Sequence, residues 1–193
     1  ILSTKVRYSD DSREFRTSEA VVPAGVAATT PLSSITLNRN EFAGFSRELF
    51  MQDQTELAAK FSTGMLKHNL VAGVELGFES PRPTYIFFTG VPTTNLASPP
   101  SQTFSDTLAY VRLNARTDAN TAGLYALDTI DIGDHWQLMG GVRWDRFDAH
   151  YSSTGFAASN AVAAHTDIHH LDQGPSYRAA LVYKAMPTLN FYA

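Results

Sequence analysis

Apolar and polar residues alternate with a period of two along most of this chain, which is the signature of half-buried strands and not of helices. The clearest run is Lys67 to Glu79. His68, Leu70, Ala72, Val74, Leu76 and Phe78 share one face, and Lys67, Asn69, Val71, Gly73, Glu75, Gly77 and Glu79 share the other. Wound as a helix, the same apolar residues would scatter around the axis. The preceding segment mirrors the pattern, with Thr55, Leu57, Ala59 and Phe61 on one face and Gln52, Gln54, Glu56, Ala58 and Lys60 on the other. Ser62-Thr63-Gly64-Met65-Leu66 joins the two runs and predicts a hairpin turn.

The unit recurs. Ala122 to Ile132 leads through Gly133-Asp134-His135 into Trp136 to Tyr151, and Tyr177 to Lys184 turns at Met186-Pro187-Thr188 and restarts at Leu189. Ile1 to Tyr8 predicts one more strand, and Ile35 to Phe50 a ragged strand entering the first hairpin. The remaining connections, Ser9 to Ser34, Ser80 to Asp106 and Ser152 to Gln173, are rich in Ser, Thr, Pro, Ala and Asn and are expected to be long loops. Tight turns on one rim and long loops on the other characterise transmembrane barrels. The longer runs cover the roughly 9–11 tilted residues that cross a bilayer core. Aromatic residues stand near the strand ends: Phe61, Trp136, Tyr183 and Tyr192 by the short turns, and Phe78 and Tyr151 by the long connections. The fold class expected is all-β: an antiparallel transmembrane β-barrel, partial, as an open curved meander sheet. A soluble β-sandwich binding module stays open as the alternative.

Composition narrows this picture modestly. No stretch approaches the roughly 18 consecutive apolar residues of a spanning helix. The hydrophobic fraction of 44% and mean hydropathy of -0.16 fit alternating strands as well as a soluble domain. A net charge of -4 gives no basic face for nucleic acid, so no nucleic-acid partner is expected. The absence of cysteine removes disulfides and thiolate metal sites. There is no Gly-x-Ser-x-Gly elbow and no phosphate-binding glycine loop, so no enzymatic activity and no cofactor are expected. His150, His165, His169 and His170, with Asp167 and Asp172 nearby, match no zinc spacing, and adjacent His169 and His170 point apart on a strand; no metal site is expected.

Three passages carry a family resemblance. The first is Gly123-Leu124-Tyr125-Ala126-Leu127-Asp128-Thr129-Ile130, then Gly133-Asp134-His135-Trp136, then Gly140-Gly141-Val142-Arg143-Trp144-Asp145-Arg146-Phe147. It resembles the Gly-hydrophobic-Tyr-x-Gln-Asp-Thr, turn, Gly-hydrophobic-Arg-aromatic-Asp passage of TonB-dependent siderophore receptors, with Leu127 where that family often has Gln. Asp53 to Leu57 through Phe61 to Gly64, Lys67-His68 and Leu70 to Glu75 resembles a middle-barrel hairpin, and Ser176 to Lys184 a later strand.

The resemblance implies transport of ferric siderophores across the bacterial outer membrane, with this chain as part of the barrel wall. Residues 1–193 are then a fragment of the barrel domain, with the plug domain and the C-terminal strands absent. Both ends, Ile1-Leu2-Ser3 and Asn190-Phe191-Tyr192-Ala193, support that expectation. The implied partners are outer-membrane lipid, a ferric siderophore, and the TonB complex acting through the missing plug. A passive porin-like or structural barrel is the alternative within the membrane class.

Two groups of candidate site residues follow. Arg82, Tyr85, Phe87 and Phe88, between Pro81 and Pro92, form an aromatic-basic cluster expected on a loop, suited to a planar anionic chelate; packing of the loop on its own apolar residues is the plainer alternative. Glu75, Arg143, Asp145 and Arg178 are expected to face the lumen and contact the plug, unless they only satisfy one another across strands.

Overall fold

The computed structural model describes residues 1–99, 109–186 and 188–193. The strands are β1 (Leu2–Val21), β2 (Thr36–Thr63), β3 (Leu66–Phe88), β4 (Thr94–Asn95), β5 (Ala109–Ile132), β6 (Trp136–Phe156), β7 (Val162–Met186) and β8 (Leu189–Tyr192), with one 3-10 turn at Leu32–Ser34. They form one antiparallel sheet in the order β1-β2-β3-β5-β6-β7-β8, with β4 paired to the start of β2. Apart from β4, each strand lies beside the next in the chain, and tight turns join β2 to β3 and β5 to β6. At the first turn Gly64 has φ 62° and Met65 is not left-handed. These are the signs of a two-residue II′ hairpin, which takes glycine first.

The expected strands are all present, but they run further than the alternation does. β1 continues to Val21, through much of the stretch expected as a loop from Ser9. β3 runs to Phe88, and the loop expected from Ser80 begins only after it; Pro100 to Asp106 of that stretch lie outside the described residues. β6 ends at Phe156 and β7 starts at Val162, so residues 157–161 replace the long loop expected from Ser152 to Gln173. Asn160 takes a left-handed φ of 60° in that link. The Met186-Pro187-Thr188 turn includes Pro187, which is outside the described residues, while Leu189 does restart the sheet as β8. These extensions lack a continuous apolar face and are held by the ladder, by ion pairs between strands such as Asp10–Arg47 and Arg16–Glu41, and by the contacts His169–Asp148 and His150–Asp167. A strand wet on both faces has no hydrophobic period, so its extent is invisible to a reading based on period.

Register fixes two faces. Leu57, Ala72, Ala126, Val142 and Tyr177 form one cross-strand row, and Phe61, His68, Ile130, Leu138 and Leu181 another. Below them stand Leu66, Ile132, Trp136 and Tyr183 beside the turns, where the Trp136 and Tyr183 rings are 4.6 Å apart. From Leu66 to Leu76, ten residues at about 3.3 Å each span roughly 33 Å of strand. Tilted by about 35–45°, that is a band some 23–27 Å tall, the height of the apolar belt on an outer-membrane barrel. The aromatic expectation holds in part: Tyr151 and Tyr192 share the register of the polar face. His68 belongs to the apolar face, stacked on Phe61 at 4.6 Å, with Nε2 2.6 Å from Thr63 Oγ1 and Nδ1 2.6 Å from Asp128 Oδ2.

The sheet has almost no interior. Among the described residues the buried apolar side chains are Ile35, Leu37 and Ala119, whereas Leu124 is 62% exposed and Tyr177 77%. A soluble sandwich buries its apolar rows under a second sheet, and among the described residues no second layer covers this face. Nitroxide labels at Ala72 and Val71 of the intact protein in bilayers should differ, with dissolved oxygen relaxing only the label at residue 72. Equal relaxation at both sites would mean that the faces are wrongly assigned.

Candidate functional site

The polar face carries a charge cluster across β2, β3, β5 and β6. Strand alternation puts Glu56, Glu75, Tyr125, Arg143 and Asp145 on that face, and the register places Glu56, Gly73, Tyr125 and Arg143 in one row and Glu75, Gly123 and Asp145 in the next. Arg143 donates from Nη2 to Glu75 at 2.6 Å and from Nε to Asp145 at 2.8 Å. Its guanidinium lies 5.4 Å from the centre of the Tyr125 ring, and the Tyr125 hydroxyl donates to Glu56 at 2.9 Å. Glycine makes this approach possible. A Cβ on Gly73 would stand 2.6 Å from Tyr125 Cζ, so the ring lies across the space a side chain would fill.

Three of the four expected lumen residues, Glu75, Arg143 and Asp145, thus come together. Arg178 shares the face, lining a shallow depression with Tyr125, Arg143 and Ser176, but has no ion pair to the cluster. Glu56 and Tyr125 were missed as members. Tyr125 stood in the family-like passage, yet only the register reveals that it bridges Glu56 and Arg143.

The second group needs correcting. Arg82, Tyr85, Phe87 and Phe88 lie on β3 and not on a loop, because β2 pairs with β3 without interruption as far as Phe42↔Phe87. Being on a strand splits them. Tyr85 and Phe87 share the polar face, and Arg82 and Phe88 the opposite one. Phe88 lies under the Arg16 guanidinium at 4.6 Å. Tyr85 and Phe87 instead join aromatics from three other strands. Phe15 is 6.3 Å from both Phe42 and Tyr85, Phe42 is 6.1 Å from Phe87, and Phe87 is 6.4 Å from Tyr110. Gly44 again leaves the space, since a Cβ there would meet the Phe15 ring at 2.7 Å. The result is an aromatic shelf of five rings on the polar face, at the end of the sheet far from the tight turns. Phe15, Phe42 and Tyr110 were missed because they lie in stretches with no alternation to place them.

The histidines do not converge. His150 pairs with Asp167 and His169 with Asp148, while His165 lies 3.4 Å from Thr154. No group of three or more His, Asp or Glu suited to a metal ion occurs among the described residues.

A meander of strands with a membrane-height apolar band on one face and polar clusters on the other is the wall of an outer-membrane β-barrel. Residues 2–193 match the model of the TonB dependent receptor-like β-barrel family, and the chain belongs to that family. The protein is accordingly of the bacterial outer membrane. A probable TonB-dependent siderophore receptor, PiuA of Acinetobacter baumannii, is 32% identical over 161 residues, covering 72% of this chain and 20% of PiuA. The catecholate siderophore receptor Fiu of Escherichia coli O6:H1 is 29% identical over 125 residues, covering 65% of this chain and 16% of Fiu. The chain thus spans about a sixth to a fifth of the length of these relatives. Among solved structures, the open form of the ferric-catecholate import receptor Fiu from E. coli K12 superposes with a TM-score of 0.75 at 20% identity, over 99% of this chain and 32% of that one. The unliganded ferric citrate transporter FecA gives 0.59 at 15% identity, over 99% and 26%. Both superpositions show the fold.

The Gly73–Tyr125 contact is directly testable in the intact barrel. Gly73→Ala should destabilise it by about 1–3 kcal/mol through overpacking, read as unfolding free energy in lipid. Adding Tyr125→Ala should recover part of that loss. Strictly additive effects of the two changes would show that the ring does not occupy the glycine's space.

Proposed function

We propose that the full-length protein imports ferric siderophores across the outer membrane by a TonB-dependent route, and that this chain contributes part of the barrel wall. The observation that carries the reading is family membership over residues 2–193. The relatives named for siderophores, one of them specifically for catecholates, point to the same cargo. The lumen-side shelf of Phe15, Phe42, Tyr85, Phe87 and Tyr110 supports an aromatic chelate. Catechol rings stack on aromatic faces, and such contacts contribute about 0.5–1.5 kcal/mol each beyond burial. In this reading Tyr85 and Phe87 touch the incoming chelate, whereas Arg82 and Phe88, on the outer face, do not.

The cluster of Glu75, Arg143 and Asp145, with Arg178 beside it, faces the space that a plug domain fills in this family, and is proposed as its contact surface. Arg143 is one cation between two carboxylates, and among the described residues Glu56 is met only by the Tyr125 hydroxyl, so the cluster keeps a net negative charge toward the lumen. Arg178, without an ion pair among the described residues, is the group available to the plug.

Deletion of the parent gene in iron-starved cells should abolish uptake of radiolabelled ferric catecholate, and loss of TonB should do the same. Uptake that survives without TonB would favour a passive porin-like barrel. In the purified receptor, Tyr85→Ala and Phe87→Ala should each weaken chelate binding by about 1 kcal/mol, roughly five-fold, while Phe88→Ala leaves it unchanged. Equal losses for Phe87 and Phe88 would remove the shelf from the mechanism.

A further inference from the structure

The join between β3 and β5 has the least to fix its register. β2 meets β3, and β5 meets β6, through tight turns at Gly64 and Gly133. β3 and β5 are connected only through residues 89–108, at the opposite rim. The ladder does not carry their alignment down from that rim either. It is open between Glu79↔Ala119 and Thr84↔Asn114, and it shifts register between Tyr85 and Ile86.

Alternation leaves the same freedom. A one-residue slip would exchange the two faces, but a two-residue slip returns every side chain to the face it came from. Shape adds little on the apolar face, where Ala72 stands opposite Ala126 in the middle of the join.

One polar contact crosses the join on that face. His68 Nδ1 on β3 lies 2.6 Å from Asp128 Oδ2 on β5, diagonally between the pairs His68↔Ile130 and Leu70↔Asp128. The imidazole is oriented from β2, by the stacked Phe61 ring and by Thr63 Oγ1 at Nε2. Asp128 Oδ1 is buried without a partner, so among the described residues His68 is the one group that hydrogen-bonds this carboxyl. From the row of Trp136 to the row of Trp144, the described residues put no other charged side chain on this face. Ionisable groups are costly in hydrocarbon unless they are paired. A pair of this kind adds little to stability compared with apolar residues of similar size, but it penalises every arrangement that separates its members.

We propose that His68 and Asp128 are a register key, through which the β2–β3 hairpin docks on the β5–β6 hairpin in one alignment. The inference rests on the reading that the apolar face meets lipid, which the nitroxide contrast at residues 71 and 72 tests by itself. Slipped by two residues one way, His68 would face Ile132 and stand four residues along the join from Asp128, leaving both unpaired in the apolar band. Slipped the other way, the pair survives, and the lumen face opposes the change instead. Tyr125 would leave the gap at Gly73 for Val71, and Thr121 the gap at Gly77 for Glu75. The key and the glycine gaps thus guard the join from opposite faces.

The test uses the full-length receptor in bilayers, with introduced cysteine pairs read by oxidation to disulfides. Val74 and Leu124 are directly opposed in this register, whereas Val74 and Ala126 become opposed only after the slip that parts the key. Opposed residues hold their Cβ atoms about 4.5–5.5 Å apart and diagonal ones about 7 Å, which is beyond disulfide reach. The otherwise unaltered receptor should close the 74–124 pair and not the 74–126 pair. His68→Leu and Asp128→Leu, made singly, should each lower the folding equilibrium constant about ten-fold or more, because each leaves one ionisable group unpaired. Made together, they should recover most of that loss and close the 74–126 pair as well as the 74–124 pair. Exchanging the two, as His68→Asp with Asp128→His, keeps the key and should keep the single register. The proposal is overturned if the double leucine variant closes only the 74–124 pair both with and without Tyr125→Ala, or if it folds no better than either single variant.

Discussion

Every part of this structure depends on one constraint: in hydrocarbon, a backbone N–H or C=O has no partner unless another strand supplies it. With three buried apolar side chains among the described residues, packing contributes little to holding the sheet together. The ladder between successive strands does most of it. The chain accordingly visits its strands in sequence, joined on one rim by tight turns, and any crossover would strand polar groups in lipid. The lapse is local and has a covalent cause. Pro81 and Pro83 lack amide hydrogens on alternate residues, and alternate residues address the same neighbour. The pairing to β5 is missing between Glu79 and Thr84, while that to β2 is unbroken.

Charges on the lumen face follow a related logic. Arg143 is shared between Glu75 and Asp145, and Tyr125 covers it while bonding Glu56. Small residues opposite large ones let these side chains lie along the sheet. Each carboxylate of this cluster has a hydrogen-bond donor, yet the three have one cation among them, so the surface it presents is polar and net acidic.

Alternation revealed the fold as far as the membrane reaches. Between Leu66 and Leu76 an apolar residue falls at nearly every second position, so strand and face were readable from residues such as Ala72 and Glu75. Beyond that height water bathes both faces and the constraint lapses. The far ends of β1, β3, β6 and β7 therefore read as loops, and Arg82, Tyr85, Phe87 and Phe88 were grouped as neighbours on a loop when strand geometry divides them between opposite sides. The aromatic shelf was half legible for the same reason. Its β3 members stood out by composition, but Phe15 and Phe42 come from strands whose pairing only the structure supplies.

That the shelf stands on strands and not on loops bears on the entropy of recognition. A ring on a mobile loop must be immobilised when a ligand arrives, at a cost of about 0.5–1.5 kcal/mol for each ordered side chain. Tyr85 and Phe87 are already fixed in a ladder, with their rings set against Phe15, Phe42 and Tyr110 before anything binds. Such a surface discriminates by shape: a rigid planar group fits it with little reorganisation, and a flexible aliphatic one meets rings that will not move to suit it. On the proposed reading, adaptability at this mouth comes from segments beyond the strand ends, and the wall is the fixed half of the recognition surface.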